Sequence, residues 1–325
     1  MDYGTAGNFG LTLNKYLADW LSGKELTLRA RTVFSYRRVI QRHILPALGQ
    51  MSLLELRPTY LRELYVSKHK EGCGARTVQI IHTLLHAALK QAIFDGYILR
   101  NPADMVERPR YVPQEFQIFN EGMAQIFLVA TSDSPFKALY YLALTTGLRE
   151  GELLDLKWSD LDYKEKTLFV QRQLQPVEHQ GYQFLPPKTK AGKRKVSLGP
   201  VAFSYLERHQ QKQAEIRQGA GDKWREHDLI FPTTLGTPLD CGRVIREFKR
   251  ILRVANLPNL RFHDLRHTSI SLLLEHGIPV TTVQRRVGHS KASITTDTYG
   301  HMIVPTQIYA AGTIEALVTP QNPSH

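Results

Sequence analysis

Apolar residues recur at helical spacing through the first third of the chain. Leu13, Tyr16, Leu17 and Trp20 share one face of a helix, as do Ile80, Ile81, Leu84, Leu85, Ala88 and Leu89 farther on, because positions three and four apart lie above one another. Pro46 with Gly49, and the cluster Gly72-Cys73-Gly74, interrupt this period. Turn chemistry at those residues divides the run into about four helices, the last and longest opening at Arg76-Thr77. The pattern predicts a small all-helical domain over residues 11–100, after a short extension at residues 1–10.

The period fails around Asn101-Pro102, Pro109 and Pro113, where the segment is polar, charged and punctuated by proline. That is the composition of a linker between independently folded units, placed at residues 101–117 with the boundary near 113. Beyond it, Met123–Val129 and Lys137–Thr145 read as helices, whereas Lys166–Gln173 and Arg194–Leu198 alternate or are β-branched enough to be strands. The basic stretch Pro187-Lys188-Thr189-Lys190-Ala191-Gly192-Lys193-Arg194-Lys195 is therefore expected on a β-hairpin. Tyr205–Gln218 and Arg243–Ala255 read as amphipathic helices. The fold class is mainly α with a small antiparallel β-sheet, in two domains. The second domain spans residues 118–300, and a tail at residues 301–325 carries the recurring apolar Ile303, Ile308, Ile314 and Leu317.

Composition narrows the partners. The 325 residues suffice for two ordinary domains. Lys and Arg number 42 against 30 Asp and Glu, a net charge of +12 with a pI near 9.6, so a polyanion is the first partner to consider. Cys73 and Cys241 are the only cysteines, too few for a disulfide framework or a Cys-rich zinc site. No cationic start precedes an apolar run in Met1 to Gly10, and no segment approaches the roughly 20 apolar residues that span a bilayer. A soluble cytoplasmic protein with no membrane partner is expected.

The candidate chemistry lies in the second domain. In order come Thr145-Thr146-Gly147-Leu148-Arg149-Glu150-Gly151-Glu152-Leu153, the basic stretch, His263-Asp264-Leu265-Arg266, Gly288-His289, and Tyr299 within Asp297-Thr298-Tyr299-Gly300-His301. A phosphodiester repels nucleophiles, and attack adds charge to its nonbridging oxygens, so catalysis places fixed donors there. Arginine suits this, since its planar fork meets two phosphate oxygens and keeps its charge. Arg149 follows Gly147, where the chain can turn ahead of a helix, and Glu152 lies three residues on, a carboxylate to orient Arg149 or a nearby His. His263 and Arg266, at the start of another helix, share a face. A free phenol has a pKa of about 10, so Tyr299 needs its proton removed and neighbouring cations to become a nucleophile.

Taken together, these segments resemble the tyrosine recombinases, the phage-integrase family of strand-exchange enzymes, over nearly all of residues 11–299. The resemblance implies that Tyr299 is the nucleophile, since it and not Tyr140, Tyr141 or Tyr309 stands at the family's distance past the Gly-His turn. It implies that Arg149, His263, Arg266 and His289 bind the phosphate and that Lys188 is the general acid on the leaving 5′ oxygen, with Lys190 a second candidate. Lys190, Lys193, Arg194, Lys195 and, in the helical domain, Arg76 are expected DNA contacts, and the helical domain resembles the SAM-like core-binding domain. The mechanism implied is transesterification through a 3′-phosphotyrosyl link, with no metal, no ATP and no other cofactor. Partners implied are double-stranded DNA at core attachment sites, a homotetramer on synapsed DNA with the tail either on a neighbouring subunit or packed in its own, and DNA-bending accessory proteins. Many family members carry an arm-binding domain ahead of the helical one, whereas here the helical pattern starts at Leu11, which leaves arm-site binding open. Two other readings stay open: a DNA-binding protein with an incomplete site, and a type IB topoisomerase-like enzyme.

Overall fold

The computed structural model describes residues 10–111, 117–177, 181–187, 189–291, 293, 295 and 299. The extension at residues 1–9, Lys188 and the tail at residues 301–325 lie outside the described residues. The chain divides into two compact units parted near residue 114.

The first unit is helical. α1 (Leu13–Glu25) is followed by α2 (Ala30–Val39), a π turn at Ile40–Ile44, α3 (Leu45–Leu48), α4 (Pro58–Lys70) and α5 (Ala75–Phe94). Pro46 does not end its helix: it falls at the first turn of α3, where a missing N–H costs nothing, and the π turn just before it absorbs the change of register. Leu13, Leu17, Ile44, Leu61, Ile81, Leu85 and Leu89 form a fully buried core, and the Tyr16 hydroxyl donates to the Ala88 carbonyl at 2.9 Å.

The expected linker begins too early. Asn101 to Val106 belong to the first unit, with Ala103 and Val106 buried in its core. The Asn101 side chain accepts from the Ala103 N–H and donates to the His86 carbonyl. Pro102 opens a 3₁₀ turn rather than an extended connection.

In the second unit, α6 (Glu121–Ala130), α7 (Lys137–Thr146) and α8 (Glu150–Leu154) precede strands β1 (Leu161–Asp162), β2 (Thr167–Val170), β3 (Gln173–Val177), β4 (Gly181–Leu185) and β5 (Arg194–Ser197). Then come α9 (Pro200–Ala220), α10 (Cys241–Val254), α11 (Asp264–Glu275) and α12 (Val280–Val287). Phe119, Phe127, Tyr140, Phe248 and Phe262 interlock at its centre. The Tyr140 hydroxyl, buried among them, donates to the Val244 carbonyl at 2.8 Å, the partner that burial of a phenol requires. α7 and α11 pack together, which brings the Thr145 segment to the His263 segment.

β1, β2 and β5 form one antiparallel sheet in that order, and β3 and β4 a second. The basic stretch is thus not the turn of a simple hairpin. It joins the two sheets on the returning arm, between β4 and β5, and contains a 3₁₀ turn at Lys190–Gly192. Along β5 the pleat alternates: Arg194 and Val196 are buried, Lys195 and Ser197 exposed.

Candidate active site

Gly147 closes α7 in the left-handed conformation, φ 63°, which glycine adopts without a Cβ penalty. The chain reverses there and places Arg149 at the N-cap of α8, with extended backbone. Glu152, one turn on, reaches back: Oε2 accepts the Arg149 backbone N–H at 3.0 Å and Oε1 accepts Arg149 Nη1 at 2.9 Å. The same carboxylate accepts Arg194 Nη2 at 2.9 Å and Nη1 at 3.2 Å. Burial opposes charge on Glu152, but the hydrogen bonds and charges of Arg194 and Arg149 outweigh it and hold the carboxyl below the usual range.

The three guanidiniums converge on one helix end. α12 stops at Gly288, φ 71°, and leaves its last carbonyls without helical partners. Arg194 Nε donates to the Arg286 carbonyl at 2.7 Å, Arg266 Nη2 to Val287 at 2.8 Å, and Arg149 Nη2 to Gly288 at 3.4 Å. Arg266 also donates through Nη1 to the Gly147 carbonyl at 2.6 Å. Arg266 therefore bridges the C-terminal ends of α7 and α12, where the helix dipoles favour a cation. It is 3 % exposed; burial first, then Arg149, pushes its pKa down to about 9, which leaves it charged at neutral pH. Three guanidiniums against the one carboxylate of Glu152 make a positive nest whose accessible member is Arg149, its side chain 39 % exposed.

Histidines and the tyrosine complete the site. His263 is the N-cap of α11 and remains exposed, and His267 lies one turn along with its ring edge-on to His263 at 5.2 Å. His289 follows the Gly288 turn, its Nδ1 2.9 Å from Thr295 Oγ1. Tyr299 is 1 % exposed and packs with Ile270, Leu274, Val283 and Val287, while its hydroxyl is hydrogen-bonded to His267 Nδ1. Burial raises the Tyr299 phenol above its ordinary range, and Arg266 acts against that rise. Burial first, then His263 beside His267 and Arg266 with Arg149 beside His289, push the two rings down to about 4, so both are neutral at physiological pH.

Of the residues singled out by sequence, Arg149, Glu152, Arg266, His289, His263 and Tyr299 thus lie on α8, α11 and the segments adjoining α12. Arg266 is more deeply buried than a residue merely sharing a helix face with His263. Lys190, Lys193 and Lys195 are exposed. Arg194 departs from the expected exposed contact: it is 9 % exposed and its guanidinium is engaged by Glu152, Gly192 and Arg286. The strand alternation that exposes Lys195 turns Arg194 inward. In the first unit Arg76 is exposed, bonded to Gln79 and set 5.4 Å over the Tyr111 ring. His267 escaped the sequence reading, although its position four residues after His263 was a signal for a shared helix face. Among the described residues no group of three or more His, Cys, Asp or Glu side chains is arranged to hold a metal ion, and no helix is long and apolar enough to cross a membrane.

Comparison with known proteins places these units. The profile of the Phage integrase family matches residues 119–303, and that of the Phage integrase N-terminal SAM-like domain matches residues 12–69. A tyrosine recombinase XerC-like protein of Caldanaerobacter subterraneus subsp. tengcongensis is 30% identical over 284 residues, covering 82% of this chain and 73% of that protein. An integrase of Streptomyces ambofaciens is 29% identical over 306 residues, covering 91% and 78%. In fold, the chain is similar to the Tn1549 transposon integrase in complex with a circular intermediate DNA, with a TM-score of 0.78 at 21% identity over 95% of this chain and 100% of that one. It is also similar to a lambda integrase tetramer bound to a Holliday junction, with a TM-score of 0.67 at 21% identity over 87% and 79%.

Proposed function

This chain belongs to the phage integrase family, and on that premise we propose that it is the site-specific tyrosine recombinase of a phage or other mobile element, acting on double-stranded DNA. The observation that carries the reading is the convergence of Arg149 and Arg266 on the end of α12, beside His263, His289 and Tyr299. A scissile phosphate set against Arg149 and Arg266 meets donors on its nonbridging oxygens, where charge accumulates during attack. Glu152 fixes Arg149, and the Gly147 and Val287 carbonyls fix Arg266, so little reorganisation accompanies the reaction.

Tyr299 Oη attacks the phosphorus, the 3′-phosphotyrosyl bond forms, and the 5′ oxygen leaves with a proton from Lys188, or from Lys190 two residues on. A 5′-hydroxyl of another duplex reverses the step. The bond energy stays in the phosphotyrosyl link, so the cycle draws on no nucleotide. Exposed Lys190, Lys193 and Lys195 on the catalytic unit and Arg76 on the helical unit contact phosphates, which set register rather than sequence. The active assembly is a homotetramer on two synapsed core sites, aided by DNA-bending proteins, in the cytoplasm at the nucleoid.

The test is to mix the full chain with nicked suicide duplexes drawn from DNA flanking its gene, in EDTA, and to look for a covalent adduct on a denaturing gel. The wild type is expected to give an adduct that Tyr299→Phe does not. An adduct surviving Tyr299→Phe would overturn the nucleophile. DNA bound by the wild type without an adduct would favour a binding protein instead.

A further inference from the structure

We infer that His267 is a catalytic base that takes the phenolic proton of Tyr299 as the tyrosine attacks; this deepens, and rests on, the strand-transfer reading above. The phenolic proton has to go somewhere. Tyr299 is 1 % exposed and packs with Ile270, Leu274, Val283 and Val287. Its hydroxyl is hydrogen-bonded to His267 Nδ1, a group able to accept that proton. With the imidazole proton on Nε2, Nδ1 presents a lone pair and Tyr299 O–H donates to it.

The surroundings keep that lone pair available. His263, Asp264, Arg261 and Arg266 face His267 from α11 and the residues leading into it, Tyr299 faces it from the C-terminal side, and His289 from beyond α12. Burial first, and then the surrounding groups, keep the ring neutral before DNA arrives, and Asp264, which would favour the charged ring, is itself taken up by Arg261 at 2.8 Å. A phosphodiester entering beside Arg149 and Arg266 cancels part of that positive field, and the charge added during attack cancels more. The basicity of His267 therefore rises when the scissile phosphate is in place, and phenolate is made only against substrate.

The protons and bonds balance. In cleavage the Oη–P bond forms and the P–O5′ bond breaks. The phenolic proton passes to His267 Nδ1, and Lys188 protonates the departing 5′ oxygen. In rejoining, the 5′-hydroxyl gives its proton to Lys188 and attacks, the P–Oη bond breaks, and the His267 imidazolium returns its proton to the phenolate.

The test uses the full chain on a suicide duplex carrying the site recovered from the wild-type adduct, made with the ordinary 5′ oxygen or with a bridging 5′ sulfur that leaves without a proton. His267→Asn puts Oδ1 near the place of Nδ1: it keeps a hydrogen-bond acceptor and cannot become a cation. Expected is DNA binding at wild-type affinity, adduct formation slower by about 100-fold or more, as general-base losses run, and loss of the acid limb of the pH–rate profile. Sulfur restores Lys188→Ala but not His267→Asn. A His267→Asn chain that binds DNA and cleaves within about threefold of wild type would overturn the inference and leave recombination standing. If His267→Asn fails to bind DNA, a wild-type profile with no acid limb between about pH 5 and 7 overturns it equally. A wild type that forms no adduct overturns the reading beneath it.

Discussion

Arg194 grips both carboxylate oxygens of Glu152, at 2.9 and 3.2 Å, in a position where Glu152 is 2 % exposed. The same carboxylate holds Arg149 by its side chain and its backbone N–H, so one buried charge positions two guanidiniums. Glu152→Ala strands Arg194 as an unpaired interior cation, and breaking a buried pair this way costs about 3–5 kcal/mol. The expected outcome is a marked fall in the thermal midpoint together with loss of the phosphotyrosyl adduct. Glu152→Gln keeps an acceptor at one oxygen and should fall between. A Glu152→Ala chain as stable as wild type would refute this account.

The basic stretch separates into two kinds of residue. Exposed Lys190, Lys193 and Lys195, each replaced by Ala, should weaken DNA binding nearly uniformly across sequences and reduce the slope of log K against log salt by about 1 apiece. Arg194→Ala should leave that slope alone and lower the melting temperature instead, since its guanidinium never leaves the interior. Titrating a labelled duplex at several salt concentrations, beside a melt of each free variant, distinguishes the two kinds.

What sequence could show was local. Helical spacing located α1, α5, α6, α7 and α10 to within a few residues, and Arg149, His263, Arg266 and His289 were legible as candidates because each sits beside a turn or helix end with its own signature. Arg194 was misplaced because a Lys-Arg-Lys run reads as a solvated loop unless the pleat of β5 is known. Residues 101–106 read as linker because Ala103, Met105 and Val106 beside a proline set no period. The Tyr299–His267 bond and the sharing of Glu152 by two arginines arise between elements brought together by packing, and no spacing along the chain records them.

At Gly288 the turn after α12 lies against the backbone of the basic stretch. At φ 71°, a Cβ there would lie 2.8 Å from the Ala191 carbonyl oxygen and 2.8 Å from Arg194 Nη1, inside the contact limit of both. Gly288→Ala combines left-handed strain with that clash, and a loss of about 1–3 kcal/mol is expected. It should also displace the segment leading from Lys188 and Lys190, so adduct formation falls by more than stability alone explains. The comparison is adduct rate against melting temperature for Gly288→Ala and a surface control such as Gly23→Ala, whose Cβ has nothing within 4 Å.

His267 and His289, both held down to about 4, make the catalytic unit acid-sensitive. The unfolded chain binds a proton at each near the ordinary pKa of about 6.5 while the folded chain does not, so stability is full above that value and lost as pH falls from about 6.5 toward 4. On the order of 2–3 kcal/mol per histidine is at stake. His289→Asn should flatten this slope in urea midpoints measured at pH 7.5, 6 and 5. A slope unchanged by the substitution would assign the acid sensitivity elsewhere.

Asp155 acts in the opposite sense. It caps the C-terminal end of α8, where the helix dipole disfavours a negative charge. Among the described residues its Oδ1 receives a long 3.4 Å bond from Arg172 Nε and its Oδ2 has no hydrogen-bond partner. Arg172 meanwhile commits Nη2 to Asp160 at 2.5 Å. Burial, opposed by Arg172, raises the Asp155 carboxyl to about 7. Between its ordinary pKa of about 4 and that raised value the folded chain holds a proton that the unfolded chain has released, so stability falls as pH rises across this window and stays lower above it. Asp155→Asn removes the titration and keeps a neutral group of the same shape. The variant should therefore melt above wild type at pH 8, by on the order of 1–3 kcal/mol, and approach it near pH 4. If Asp155→Asn melts below wild type at pH 8, then the ion pair with Arg172 outweighs the cost of burying the charge.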